Sequence, residues 1–160
     1  MSPRAACRLE TLGFSEVYDY VPGKVDWLAH NLPVEGDRPD FPTAGRVIRD
    51  DAALCRPTDR VADVHASIKR SPYPFALVTS DDGTLLGRAP SSALDPASER
   101  AVWDVAEPGP KTFRPHVSAE KVAAVLEEKG LRWAIVTTPE GRVLGVASRE
   151  DLEGARESEG

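Results

Sequence analysis

The sequence predicts an α/β protein built from two copies of one strand–helix–strand–strand–helix unit that pack together as a single module. Two observations predict this fold. First, the stretch FALVTSDDGTLLGRAP at residues 75–90 reappears as WAIVTTPEGRVLGVAS at residues 133–148, at a constant offset of 58 residues (133 − 75 = 58). Second, the same offset places the dipeptide Arg-Pro at residue 56 on the one at residue 114 without a gap. A single gapless period over that length is an internal repeat.

Composition excludes several classes of function. The 160 residues are 41% apolar and 29% charged, which is ordinary for a globular protein. The net charge of −6 argues against nucleic acid as a partner, since phosphate binding needs a basic face. No run approaches the roughly 20 apolar residues of a membrane span, and no apolar signal segment begins the chain. Because Cys7 and Cys55 have no disulfide or metal spacing, a cytoplasmic protein is expected.

The second copy gives the clearest elements. Residues 133–137 are β-favouring and mostly apolar, which predicts a strand buried on both faces. A turn at residues 139–141 and a second strand at residues 142–147 follow. Ser148 and Asp151 then stand three apart before an apolar residue, which is the capping-box pattern that begins a helix.

The period also sets the boundaries of the repeats. We expect the first repeat at residues 45–98 and the second at residues 99–157, with a short strand at residues 46–50. In the first repeat, residues 61–68 carry one apolar helical stripe that includes His65. A histidine in such a stripe is expected to pack rather than to bind a ligand.

Residues 1–35 predict a helix, a strand at residues 16–21 and a second helix. Ser2 and Pro3 begin the first helix, and Gly13 ends it. Residues 36–44 are charged and proline-containing, which predicts a linker. Since fewer than about 40 residues rarely hold a core, the N-terminal segment is expected to dock on the rest or to be a fragment.

The N-terminal segment resembles the C-terminal end of a rhodanese (sulfurtransferase) domain. The residues that carry this resemblance are Ala5-Ala6 before Leu9, Leu12-Gly13-Phe14, Gly23-Lys24 with Trp27-Leu28, and Leu32-Pro33-Val34. In that family the catalytic cysteine precedes the first of these helices, where the helix N-terminus lowers the thiol pKa. The resemblance therefore implies an incomplete domain without its nucleophile loop. Because Cys7 lies inside the predicted helix, we expect no catalysis.

Residues 45–155 resemble a tandem CBS-domain pair, the regulatory module named after cystathionine β-synthase. The residues that carry this resemblance are Arg114-Pro115, Ala134-Ile135-Val136, Gly141-Arg142-Val143-Leu144-Gly145-Val146 and Ser148-Arg149-Glu150-Asp151-Leu152. The resemblance implies two β-α-β-β-α repeats related by a pseudo-twofold axis, a homodimer, and a cleft that often binds AMP, ADP, ATP or S-adenosylmethionine.

The same resemblance implies a set of site residues. Asp151 would accept hydrogen bonds from the ribose hydroxyls, Ser148 and the helix N-terminus would contact phosphate, and Arg149 would be a charge partner. Thr112 would line the base or the phosphate, and Ala134 and Val136 would form walls of an adenine pocket.

Two alternatives stay open. Ser148 and Asp151 also make a complete helix cap that needs no ligand. In the first repeat Pro90 and Ala93 replace them, so at most one cleft is expected to bind a nucleotide. The sequence thus leaves three functions: a non-catalytic nucleotide sensor, a truncated sulfurtransferase, and a dimerisation module with an empty cleft. Arg88 of the first repeat would reach a phosphate or cover the sheet edge.

Overall fold

The computed structural model describes residues 3–18, 20–34 and 42–157. The α-helices in these ranges are α1 (Pro3–Thr11), α2 (Gly23–Ala29), α3 (Ala44–Val47), α4 (Val61–Ile68), α5 (Ala119–Glu128) and α6 (Arg149–Glu157). The strands are β1 (Ala53–Cys55), β2 (Phe75–Thr79), β3 (Leu85–Pro90), β4 (Glu107–Pro108), β5 (Thr112–Phe113), β6 (Trp133–Thr137) and β7 (Val143–Ser148). Two 3₁₀ helices span Ser91–Ala93 and Val102–Asp104. Within these ranges, every helix is too short or too polar to cross a membrane.

The strands form two sheets that repeat one pattern. The first sheet has the order β1-β2-β3-β4, and the second has the order β5-β6-β7. In both, a parallel pair is followed by an antiparallel hairpin, and the register repeats with the predicted offset: Phe75 lies opposite Pro90, and Trp133 lies opposite Ser148. We call the first sheet with α4 the first unit, and the second sheet with α5 and α6 the second unit.

Apolar residues divide into three clusters. One fills the space between α4 and the first sheet, and one fills the space between the helices and the second sheet. The third joins the two sheets and contains Leu77, Ile135 and Val146. Because side chains alternate along a strand, each sheet supplies one set of residues to its helices and the other set to its partner sheet. The predicted packing of sheet against sheet is confirmed.

The segment before each unit packs on the other unit. The Ala44 amide donates to the Val117 carbonyl (2.8 Å), and the Val102 amide donates to the Asp59 carbonyl (2.8 Å). These two bonds are related by the offset of 58 residues (44 + 58 = 102; 117 − 58 = 59). Ala44 lies in the second unit's core and Val102 in the first unit's core. We call residues 42–50 and 100–108 the exchanged arms.

The first exchanged arm differs from its predicted secondary structure. Residues 46–50 do not form the predicted strand; α3 covers Ala44–Val47 instead and packs on α5 and α6. Ala44 and Val102, which lie close to the predicted repeat boundaries at residues 45 and 99, contribute to the core of the opposite unit. A short stretch has a marginal intrinsic preference, so its tertiary partner decides its conformation.

Each arm then pairs with the edge of the opposite sheet, one through an isolated bridge at Arg49 and the other through strand β4. The Arg49 amide donates to the Val146 carbonyl, and the Val146 amide donates to the Arg49 carbonyl, both at 2.9 Å. The equivalent pair in the other sheet is Glu107 with Arg88. Gly145 allows this approach, since a Cβ there would lie 2.6 Å from the Arg49 carbonyl oxygen. The backbone of Arg49 is therefore fixed on β7.

The first repeat lacks the predicted closing α-helix. At the position where α6 begins in the second unit, Ser91–Ala93 makes only a three-residue 3₁₀ turn. Pro90 stands where Ser148 stands and makes no side-chain cap. Without a hydroxyl to accept from the first turn, and with Pro96 close behind, an α-helix cannot extend there.

The N-terminal segment has its two predicted helices without the predicted strand between them. α1 ends as predicted at Gly13, whose φ is +94°, with the Phe14 amide bonded to the Leu9 carbonyl (3.2 Å). Residues 16–18, 20 and 21 form no strand in the structure. Tyr18 and Val21 are 80% and 86% exposed. A strand needs a neighbour to satisfy its backbone, and the described residues offer this segment none.

One histidine joins the N-terminal segment to the second unit. His30 Nδ1 lies 2.8 Å from the Asp26 carbonyl oxygen, and Nε2 lies 2.6 Å from Glu140 Oε1 on the β6–β7 turn. Both partners are acceptors, so both ring nitrogens donate only if the imidazole is protonated. The hydrogen bond with the Asp26 carbonyl, followed by the one with Glu140, raises the pKa of His30. In turn, His30 lowers the pKa of Glu140 to about 2.

We expect this contact to weaken as the pH rises. A raised pKa in the docked state means that the contact is fully present below the ordinary histidine pKa of about 6.5 and is lost as the pH passes the raised value. An NMR titration of the His30 ring should give a pKa above that of the ordinary residue, and Glu140→Gln should lower it. An identical His30 pKa in both proteins would contradict the contact.

Candidate ligand site between the two units

A serine and an aspartate meet at the junction of β7 and α6. Ser148 Oγ accepts a hydrogen bond from the Asp151 amide (2.9 Å) and donates one to Asp151 Oδ2 (2.7 Å). This is the predicted cap, and its carboxylate stands in the first turn, where the helix dipole favours an anion. Ser148 lies opposite Trp133, which packs in the cluster between the sheets, so the pair faces the inter-sheet side.

Arg49 of the exchanged arm reaches the same carboxylate. Its Nη2 donates to Asp151 Oδ1 at 3.0 Å, so each carboxylate oxygen has a donor. The hydrogen bond from the Ser148 hydroxyl is the largest cause that holds the pKa of Asp151 below its ordinary value, and the Arg49 guanidinium lowers this pKa further. Asp151 is 28% exposed and Arg49 is 59% exposed. The carboxylate is therefore ionised and partly accessible, and its cationic partner lies in solvent.

Two further residues from the first half of the chain complete this corner. Tyr73 is buried, donates from its hydroxyl to the Val146 carbonyl (3.3 Å) and packs edge-on against Trp133, with 5.1 Å between ring centroids. Burial first, and then a hydrogen bond with Asp51, raise the pKa of Tyr73 above its ordinary value. Sequence reasoning missed Arg49, Asp51 and Tyr73, because no local pattern shows that these residues approach the second unit.

The side chains of two predicted site residues face the helices and not the partner sheet. Ala134 and Val136 have no exposed surface and belong to the cluster beneath α5. Their neighbours Trp133 and Ile135 occupy the inter-sheet side instead. Because successive residues of a strand point to opposite faces, the side chains of Ala134 and Val136 do not reach the inter-sheet side, and their role as walls of an adenine pocket stays a prediction.

Thr112 and Arg149 make their described side-chain contacts outside the Ser148–Asp151 pair. Thr112 lies opposite Ile135 and so shares its inter-sheet face, roughly 10 Å across the sheet from β7. Its hydroxyl accepts from Arg114 Nη1 (3.5 Å). Arg149 pairs with Glu153 (3.3 Å). The structure thus joins Ser148 directly to Asp151 and leaves Thr112 on the same face.

The equivalent corner of the first unit has opposite chemistry. Pro90 and Ala93 supply neither hydroxyl nor carboxylate. Glu107 occupies the position equivalent to Arg49 (49 + 58 = 107) and accepts from Arg88. The Arg88 guanidinium also lies 5.8 Å from the centre of the Phe75 ring, so Arg88 covers the sheet surface. The two clefts therefore differ in both charge and hydrogen-bonding groups.

Two shallow grooves are present in the first half of the chain, and neither is lined by Ser148 or Asp151. One, of about 220 Å³, is lined by Asp51, Ala53, Ser67, Arg70 and Ser71. The other, of about 250 Å³, lies in the first unit beside Arg56 and Ser80. Both are smaller than the 300 Å³ or more typical of small-molecule pockets. A ligand the size of a nucleotide would have to displace side chains.

The repeated unit, the exchanged arms and the cleft between two sheets define a pseudo-twofold α/β module of the CBS-pair type. Residues 102–157 match the family model described as the CBS domain. A search of curated protein sequences found no significant match. The solved structures that resemble this chain include several CBS-domain pairs, so the fold of this chain is that of a CBS pair.

Three of these structures are representative. The cytosolic domain of the Mg²⁺ channel MgtE, solved with ATP, has a TM-score of 0.63 at 20% identity. The match covers 71% of this chain and 48% of that one, so this chain spans about half of that domain. The CBS-pair protein CBSX2 from Arabidopsis thaliana, solved with AMP, has a TM-score of 0.64 at 21% identity, covering 73% of this chain and 97% of that one. The CBS domains of a transcriptional regulator from Streptococcus pneumoniae have a TM-score of 0.64 at 17% identity, covering 72% and 99%.

Proposed function

We propose that this chain is a non-catalytic regulatory module that senses an adenosine-containing nucleotide in the cleft of its second unit. The observation that carries the proposal is the ionised, partly exposed Asp151 beside Ser148 at the start of α6, on the inter-sheet face. Two proteins of the same fold were solved with nucleotides, MgtE with ATP and CBSX2 with AMP.

Each residue of the proposed site suits a different part of the nucleotide. The Asp151 carboxylate is an acceptor for the two ribose hydroxyls, and charge-assisted bonds of this kind are the stronger ones. The Ser148 hydroxyl and the positive end of the α6 dipole suit a phosphate. Thr112 lies on the same face, and Arg149 at the start of α6 is proposed as a charge partner. Because the first unit lacks the serine–aspartate pair, we expect one nucleotide per chain.

A second candidate function has an observation in its favour. Both oxygens of Asp151 already have donors, from Ser148 and Arg49, so the group is also satisfied as a structural cap. In that case the module would assemble with a partner and bind no ligand. The sulfurtransferase alternative lacks comparable support, since Cys7 lies exposed within α1. A homodimer, a cytoplasmic location and the rhodanese-like character of residues 1–35 stay predictions of the sequence.

Ligand-dependent stabilisation tests the proposal. A nucleotide at about 100 times its dissociation constant should stabilise the protein by about 2.7 kcal/mol, which a thermal-shift titration with AMP, ATP and S-adenosylmethionine detects. Asp151→Ala should weaken binding by roughly 10- to 100-fold, because bonds to a charged group contribute about 1.5–3 kcal/mol.

Glu150→Ala is the matched control, because it removes the same charge from the adjacent, exposed position of α6. It should bind as the parent chain does. Equal losses in both variants would indicate a general effect of charge on α6 and count against a site at Asp151. No stabilisation of the parent chain by any of the three compounds would favour the ligand-free module.

A further inference from the structure

We infer that Arg49 selects the ligand of this cleft. The site takes an adenine nucleotide with a phosphate group. It discriminates against the uncharged nucleoside and against a cationic sulfonium compound such as S-adenosylmethionine. The inference rests on the proposed function, and it assigns a role to a residue of the exchanged arm that lies outside the second repeat.

The geometry of Arg49 combines a fixed backbone with a movable head group. Two backbone hydrogen bonds to Val146 hold its main chain on β7. The side chain is 59% exposed and donates through Nη2 to Asp151. A guanidinium has five N–H donors, so most of its hydrogen-bonding capacity faces solvent. It can therefore exchange one anionic partner for another without moving the arm.

A ribose would compete with Arg49. Asp151 is only 28% exposed, and its two oxygens already accept from Arg49 and Ser148. Two ribose hydroxyls would donate to the same two oxygens, one of which is the oxygen bonded to the guanidinium. Binding of the sugar therefore displaces Arg49 from Asp151 and leaves a cation without its partner.

A phosphate supplies the missing partner. The guanidinium fork matches phosphate oxygens and binds them through two parallel hydrogen bonds. Arg132 and Arg149 flank the same corner, since the Arg149 amide donates to the Arg132 carbonyl (2.9 Å). Acidic groups lie near it as well: Asp51 and Asp151 act on Tyr73, and Glu153 pairs with Arg149. With Asp151 engaged by the sugar, the arginines favour an anion, whereas adenosine leaves the displaced Arg49 without compensation.

The first unit supports this assignment by contrast. Glu107 stands at the position equivalent to Arg49 and is paired with Arg88. A carboxylate at this position repels a phosphate, in the same unit that lacks the serine–aspartate pair. Both features that the inference requires are thus present in one cleft and missing from the other.

Calorimetric titration of the full chain with AMP and with adenosine tests the inference. The parent chain should bind AMP at least tenfold more tightly than adenosine. Arg49→Ala should reduce that ratio to near one, because AMP binding weakens roughly 10- to 100-fold while adenosine binding stays the same or improves. Arg60→Ala is the matched control: it removes an exposed arginine that pairs with Glu99 in the first unit, and it should leave both affinities unchanged.

The outcomes separate this inference from the proposed function. If Arg49→Ala weakens AMP and adenosine equally, or weakens neither, Arg49 does not select the ligand although the nucleotide site stands. If the parent chain binds neither compound, both proposals fail. Should Arg49→Ala not fold, Arg49→Gln keeps most of the side chain and removes its charge, and the same collapse of the AMP-to-adenosine ratio is expected.

Discussion

Gly145→Ala is expected to destabilise the protein by about 3 kcal/mol or more. The added Cβ would lie 2.6 Å from the Arg49 carbonyl oxygen and 3.1 Å from the Ile48 Cβ. The Arg49 carbonyl oxygen accepts from the Val146 amide, and the Arg49 amide donates to the Val146 carbonyl, so this oxygen cannot move without releasing the exchanged arm from β7. Overpacking of this kind costs roughly 1–3 kcal/mol, and each lost hydrogen bond adds about 0.5–1.5 kcal/mol. Urea denaturation measures the free energy of unfolding.

Gly154→Ala provides the matched control for this substitution. Gly154 lies in α6, and a Cβ there meets nothing within 4 Å. Alanine has the better helix propensity, so this variant should gain about 0.5–1 kcal/mol. If the two substitutions changed stability in the same direction, the close approach at Gly145 would not be a constraint on the fold.

Leu77→Ala is expected to cost about 3–5 kcal/mol. Leu77 has no exposed surface and lies in the cluster between the two sheets, with Ile135 and Val146. Truncation to alanine removes its transfer energy and leaves a cavity that two rigid sheets cannot close, as in other leucine-to-alanine series. Chemical denaturation should show a lower midpoint.

Leu54→Ala tests whether this cost comes from burial. Leu54 on β1 lies directly opposite Leu77 in the same sheet, but its side chain is 57% exposed. The same substitution there should cost less than about 1 kcal/mol, since little apolar surface is removed from solvent. Similar losses at the two positions would mean that the sheets do not pack tightly on each other.

Much of this fold follows from the sequence because the repeat supplies the same evidence twice. The strand at residues 75–79 and the strand at residues 133–137 are predicted from apolar content, and the shared offset fixes both hairpins. The cap at Ser148 and Asp151 is also local, since its partners are three residues apart. Patterns that close within a few residues are decided by the backbone itself.

The rest depends on contacts that no local pattern records. A strand buried on both faces has no polar side, so periodicity does not tell that Ala134 and Val136 face the helices and not the partner sheet. α3 is four residues long and takes its conformation from the opposite unit. Arg49 reaches Asp151 only because the arm crosses over, 102 residues away along the chain.

The predicted strand at residues 16–21 shows a related limit. Its residues have the composition of a strand, but exposed side chains such as Tyr18 show that no second strand covers them in the described residues. Strand propensity measures how well a residue fits a half-buried pleated surface, and it has little effect where no such surface exists.

The exchanged arms also determine which piece of this chain can be inherited or transplanted as a whole. Residues 102–157, the part that matches the family model, begin with an arm that completes the first unit's core, and they lack the arm that completes their own. A recombination event at the edge of a repeat would open both cores at once. The heritable module is therefore the interlocked pair, and a lone copy of the repeat would have to borrow its missing arm from a neighbouring molecule.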